Sequence, residues 1–205
     1  MKKASWVILS LLSIIIGLYP ILYLIIDREF GLLGTKTVDL LKNNLWNIMF
    51  YVHIFLGGLA LLIGWLQFSK KLRSNNIKLH RGIGKTYVVS VLISGICGLY
   101  IAFFSTGGIT STIGFSSLAL IWIISTYLGY KSIKGGKIRL HEDFMIYSYA
   151  ACFAAVTLRF WLPILTILLD DFIFAYRIVA WLCWVPNLLV AYLIINYKKP
   201  VTNTV

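Results

Sequence analysis

Six apolar runs, each close to the ~20 residues that carry a helix across a bilayer, leave this chain little room for anything else. They are Trp6 to Ile26, Trp46 to Phe68, Thr86 to Phe104, Thr112 to Tyr130, Phe144 to Leu169 and Phe172 to Tyr197. Backbone polar groups in hydrocarbon must pair within their own segment or in a closed barrel, so runs of this length are read as helices. The expected fold is all-α: a six-transmembrane-helix bundle forming a single integral membrane domain over residues 1–205. Composition excludes a soluble domain, since 60% of the residues are apolar, 13% are charged and the mean hydropathy is +0.86.

Charge then sets an orientation. If the N-terminus is cytoplasmic, 14 of the 19 Lys and Arg fall on that side: Lys2, Lys3, Lys70, Lys71, Arg73, Lys78, Arg81, Lys85, Lys131, Lys134, Lys137, Arg139, Lys198 and Lys199. Arg28, Lys36 and Lys42 fall outside. The positive-inside rule therefore expects a multi-pass protein of the cell membrane with both termini cytoplasmic. A net charge of +12 confined to short juxtamembrane loops points to the lipid bilayer as partner and not to nucleic acid. The first run has Lys2 and Lys3 before it but is longer than a signal's apolar core, with no small-residue cleavage site after it, so it is expected to remain as the first span. Cys97, Cys152 and Cys183 all lie in apolar runs and read as packing residues.

Two kinds of residue break the apolar pattern. Arg159 and Arg177 lie inside spans, where a charge is costly enough to mark a site by default. His53 lies inside the second span and is followed by Gly57, Gly58 and Gly64 at helical spacing, which either lets a neighbouring helix come close or makes room for a flat cofactor. Pro163 follows Arg159 by four residues and predicts a kink with a free carbonyl beside the charge. Pro186 and Asn187 interrupt the sixth span, where Asn187 can satisfy freed backbone or reach a neighbouring helix.

The second kind is a repeated element. Ile77-Lys78-Leu79-His80 and Ile138-Arg139-Leu140-His141 each close a basic loop and open a span. The repetition suggests parallel hairpin repeats over 46–104 and 112–169, with His80 and His141 equivalent and an ion-pair rim of Arg81 with Glu142 or Asp143.

The elements His80-Arg81-x-x-Gly84 with Tyr87, Gly98-Leu99-Tyr100-x-Ala102, and His141 leading to Phe153-Ala154-Ala155-Val156-Thr157-Leu158-Arg159 resemble the prokaryotic membrane proteins catalogued as domain of unknown function 2306. The resemblance runs from about His53 into the sixth helix. It implies a multi-span protein and brings no reaction with it.

Three functional readings stay open, and whether the protein is an enzyme is open with them. In the first, His80 and His141 ligate a b-type haem, while Arg159 and Arg177 serve an outer cofactor or a quinone head group. Met49 or Met145 could complete a second, weaker axial pair with His53. In the second, His80 and His141 with Glu142 or Asp143 hold zinc for hydrolysis at the membrane surface. In the third, the protein is a transporter or ligand-binding protein in which His53, Arg159 and Arg177 form an intramembrane site for a small anionic or polar ligand entering from outside. Against all three stands a purely structural reading, in which Arg159 and Arg177 pair with Asp170 and Asp171 and the histidines belong to an interfacial rim.

Overall fold

The computed structural model describes residues 3–25 and 31–197. Lys2, Arg28, Lys198, Lys199 and the expected end of the first span at Ile26 lie outside the described residues. Six helices are long and apolar enough to cross a membrane: Ala4–Leu24, Asn44–Phe68, Ile77–Ala102, Ile109–Lys134, Ile138–Leu169 and Phe172–Tyr197. No strand occurs among the described residues. An even number of spans puts the first and last described residues, Lys3 and Tyr197, at one end of the bundle, the terminal face. The segments 31–43, 103–108 and 170–171 cap the other end, the distal face.

The six spans are those read from hydropathy, but all except the sixth begin earlier, the third and fifth by the most. The third starts at Ile77 and not near Thr86, because Asn76 caps it by accepting a hydrogen bond from Leu79 N at 2.9 Å. The fifth starts at Ile138 and not at Phe144, so the basic turns preceding both apolar runs are already helical. His80 and His141 are each the fourth residue of their helix. The segment before the third span holds a further helix, Lys70–Asn75, capped by the Ser69 hydroxyl on Leu72 N.

Interruptions also fall where proline counting alone does not put them. The helix Ala154–Leu169 runs through Pro163, and the fifth span breaks instead at Phe153, between Ile138–Cys152 and Ala154–Leu169. The sixth span breaks between Phe172–Leu182 and Val185–Tyr197, just before Pro186, whose ring cannot donate to the preceding turn. The two breaks meet. Asn187 Nδ2 donates to Cys183 O at 2.9 Å, to Thr157 Oγ1 at 3.1 Å and to Ala150 O at 3.3 Å, while the Thr157 hydroxyl donates to Cys183 O. Asn187 thus does both things expected of it, repairing its own helix and joining the next.

Packing relies on missing side chains. A Cβ on Gly58 would stand 2.7 Å from Gly17 O, one on Gly114 2.7 Å from Ala180 O, and one on Gly95 2.5 Å from Ile123. These three contacts draw together the first and second, fourth and sixth, and third and fourth spans, which is how membrane helices gain close van der Waals contact. At the centre, Gly64 gives way to the rings of Tyr87 and Tyr149. The Tyr87 hydroxyl bonds Ser148 Oγ at 2.8 Å, Ser148 bonds Thr126 at 2.6 Å, and Tyr149 bonds Ser13 at 2.8 Å. Apolar side chains such as Ile8, Ile96, Ile124 and Leu193 remain exposed around the perimeter, as contact with hydrocarbon requires. The three cysteines are free and buried.

Candidate functional site

Arg159 sits two turns into the distal half of the fifth span, where its own helix offers little. Nη1 donates to Ala155 O at 2.9 Å, one turn back. The guanidinium lies over the Tyr19 ring, its carbon 4.4 Å from the ring centre, a cation–π contact. Nε is buried and has no partner. No carboxylate pairs with it, since the ion pair among the described residues is elsewhere, between Arg73 and Glu142. Asp171 instead caps the sixth span by accepting from Phe174 N, and Asp170 ends the fifth in the left-handed region.

His53 approaches the same space from the second span. Its Nδ1 lies 2.9 Å from Ser94 O, so Nδ1 carries the proton and, in a neutral ring, Nε2 is left as an acceptor. Ser94 Oγ donates back to His53 O at 2.9 Å and locks the pair. Gly98 makes this possible, because a Cβ there would lie 2.8 Å from the imidazole.

Between these groups is a cavity of about 240 Å³ bounded by all six spans. Its walls are apolar and aromatic, and Gly57 and Gly58 open it beside His53. Two lining residues carry a buried donor with no partner, Trp46 Nε1 and Arg159 Nε, while the Trp122 indole N–H faces the Tyr87 hydroxyl. A buried donor left unpaired costs about 1–3 kcal/mol, so two around one space mark it as suited to hydrogen-bond acceptors. The lining includes two cations, Arg159 and Lys36, and no Asp or Glu. Lys36 closes the distal end, donating to Phe104 O at 2.6 Å and Thr106 Oγ1 at 3.0 Å, with Thr35 and Thr106 also bonded. Burial brings its ammonium down to about 8 from the usual 10.5.

Of the five residues singled out from sequence, then, the structure brings together His53 and Arg159. Arg177 is not with them. It is exposed on the distal face, where Nε donates to Gly107 O at 2.8 Å and pins the turn in which Gly107 and Gly108 take φ of +97° and +73°. The sequence reading grouped Arg177 with Arg159 because both lie inside apolar runs, which does not say which way either faces. Trp46, Trp122 and Lys36 were missed. Tryptophan is common in membrane helices and Lys36 lay in a loop, so neither stood out.

At the terminal face, His141 Nδ1 lies 2.9 Å from Gly129 O, while His80 Nδ1 is buried without a partner. The charged neighbours of His80 are Arg73, His141 and Arg81. The rim differs from expectation: Glu142 pairs with Arg73 at 2.6 Å, and not with Arg81. Arg73 reaches it from the helix Lys70–Asn75, which the sequence reading treated as a loop. Both partners are close to half exposed, so the pair adds little stability. No group of three or more His, Cys, Asp or Glu able to hold a metal ion occurs among the described residues.

The family described as "Predicted membrane protein (DUF2306)" matches residues 50–195, most of the chain. The chain belongs to this family. No curated protein and no solved structure matches it. The segment shared with the DUF2306 family contains His53, His80, Trp122, His141, Arg159 and Arg177. Tyr19, Lys36 and Trp46 come before it, so the cavity joins shared walls to others lying outside the match.

Proposed function

We propose that this protein is a ligand-binding protein of the cell membrane, with both termini cytoplasmic, which takes an acceptor-rich head group into the cavity between His53 and Arg159. The observation that carries the reading is Arg159 itself: a guanidinium whose Nε is buried and unpartnered, with no acid beside it and a further unpartnered donor, Trp46 Nε1, around the same space. Intramembrane cations are retained at such cost chiefly for function. Apolar walls suit a molecule that arrives through the bilayer, and ~240 Å³ is just below the usual ligand pocket, enough for a head group or a short chain. Quinones and amphiphilic acids both fit that outline.

Trp46 and Trp122 make binding observable, because both line the cavity. In lipid nanodiscs, tryptophan fluorescence should be quenched saturably by bromoundecanoate or by a decyl-substituted benzoquinone. Gly57→Leu, which fills the space facing Ser94 and Trp122, should raise the half-saturating concentration of whichever probe binds at least about tenfold, the equivalent of ~1.4 kcal/mol. Quenching by both probes that rises only in proportion to their lipid concentration, equally in both proteins, would overturn the reading.

A redox role is favoured by one observation at the other face. A ligating histidine usually gives its second ring N–H to a carbonyl, as His141 does to Gly129 O. Its Nε2 would then be free for haem iron, with His80 as the opposing ligand; the buried, unpartnered Nδ1 of His80 lacks the matching support. Protein expressed with haem supplied should show a Soret band that His141→Ala removes, and a colourless preparation would dispose of this second reading.

A further inference from the structure

The charge around the cavity says more than that something binds. An uncharged acceptor such as a quinone carbonyl needs donors but no net charge. Here two cations line a largely apolar space with no carboxylate among the lining residues, so an uncharged guest would leave Arg159 uncompensated in low dielectric. The way Arg159 is held narrows the guest further. Tyr19 lies against the guanidinium and Ala155 O occupies Nη1, which leaves the Nε donor unpartnered. A planar carboxylate takes an arginine edge through parallel hydrogen bonds.

We propose that the head group bound here is a carboxylate, carried on an apolar chain: an amphiphilic monoanion whose carboxylate bonds the Nε edge of Arg159 and whose chain lies against the apolar walls. This rests on the ligand-binding reading above and specifies its chemistry. Lys36 contributes a second positive charge from the distal end, where segments 31–43 and 103–108 are tied together by its bonds to Phe104 O and Thr106. His53, held by Ser94, presents an acceptor and favours a guest bearing one further hydroxyl or proton. The unpaired indole donor of Trp46 can take a remaining lone pair of the carboxylate.

The test compares bromoundecanoate with its methyl ester and with the decyl-benzoquinone, by tryptophan quenching of the full chain in nanodiscs made of zwitterionic lipid. The acid should bind roughly tenfold to a hundredfold more tightly than the ester, the range for losing charge-assisted hydrogen bonds. Arg159→Gln should erase that difference. Arg159→Lys should keep the charge but lose the parallel hydrogen bonds, and so fall between. Since Arg159 variants can fail in folding, Lys36→Gln gives an independent arm. Wild type should exceed it at pH 7, and the advantage should shrink toward pH 9.5 as Lys36 loses its proton above about 8. The other titratable groups lining the cavity are His53, Tyr23, Tyr176, Cys152 and Arg159. Comparing two proteins at each pH cancels their titration and that of the probe. Saturable, Gly57-sensitive binding of ester or quinone as tight as that of the acid would overturn the carboxylate while leaving a ligand-binding protein. Saturable binding of none of the three probes would remove both.

Discussion

Replacing Gly114 by valine should lower the midpoint of thermal unfolding by about 2–12 °C in nanodiscs, followed by differential scanning fluorimetry. A Cβ at this position would stand 2.7 Å from Ala180 O and 3.1 Å from Ala180 C. Both are backbone atoms of the sixth span and cannot rotate away as a side-chain end could. The fourth and sixth spans would have to separate, and overpacking of this kind costs about 1–3 kcal/mol, each worth roughly 2–4 °C in a chain of this size. Gly82→Ala is the matched control. Nothing lies within 4 Å of its Cβ, so only the helix preference for alanine remains and the midpoint should hold or rise slightly. A Gly114 variant as stable as wild type would mean that the two spans are not in backbone contact.

The second large effect is expected at Asn187. One side-chain amide bridges Ala150 O, Thr157 Oγ1 and Cys183 O where two broken helices cross. Asn187→Leu matches it in bulk but leaves those acceptors facing hydrocarbon. Polar contacts between membrane helices are worth about 0.6–2 kcal/mol each, so a loss of roughly 2–3 kcal/mol is expected for the set. The variant should also bind the acid probe more weakly. Ala151, Cys152, Ala154 and Ala155, on either side of the break, line the cavity, and Ala155 O fixes Arg159. Loss of stability with unaltered probe affinity would show that the crossing holds the bundle together without shaping the site.

The six spans were legible because hydropathy depends only on which residues are apolar, and that survives any arrangement of the helices. Their starts were not. Ile77 to Lys85 and Ile138 to Asp143 are too basic or acidic to count as apolar, yet they are helical because Asn76 caps the first and both continue directly into a span. Of the site, His53 and Arg159 were legible because each is expensive where it stands. The assignment of Arg177 failed on direction: the same residue type at a similar depth faces outward and binds Gly107 O. The predicted Arg81–Glu142 pair failed on a different ground, since Arg73 is brought to Glu142 only by a short helix, Lys70–Asn75, that has no apolar signature.

Tyr19, Lys36 and Trp46 all precede the segment that matches the family. Residues 50–195 bring the histidine and the arginine, while the earlier part of the chain supplies the ring beneath the arginine, the ammonium at the mouth and the unpaired indole. The two contributions can diverge at different rates. On the ligand-binding reading proposed above, relatives that keep the shared segment and vary ahead of it would keep the histidine and the arginine while changing the charge and walls around them. Exchanging the residues ahead of the match between two such relatives should then exchange which guest each one binds.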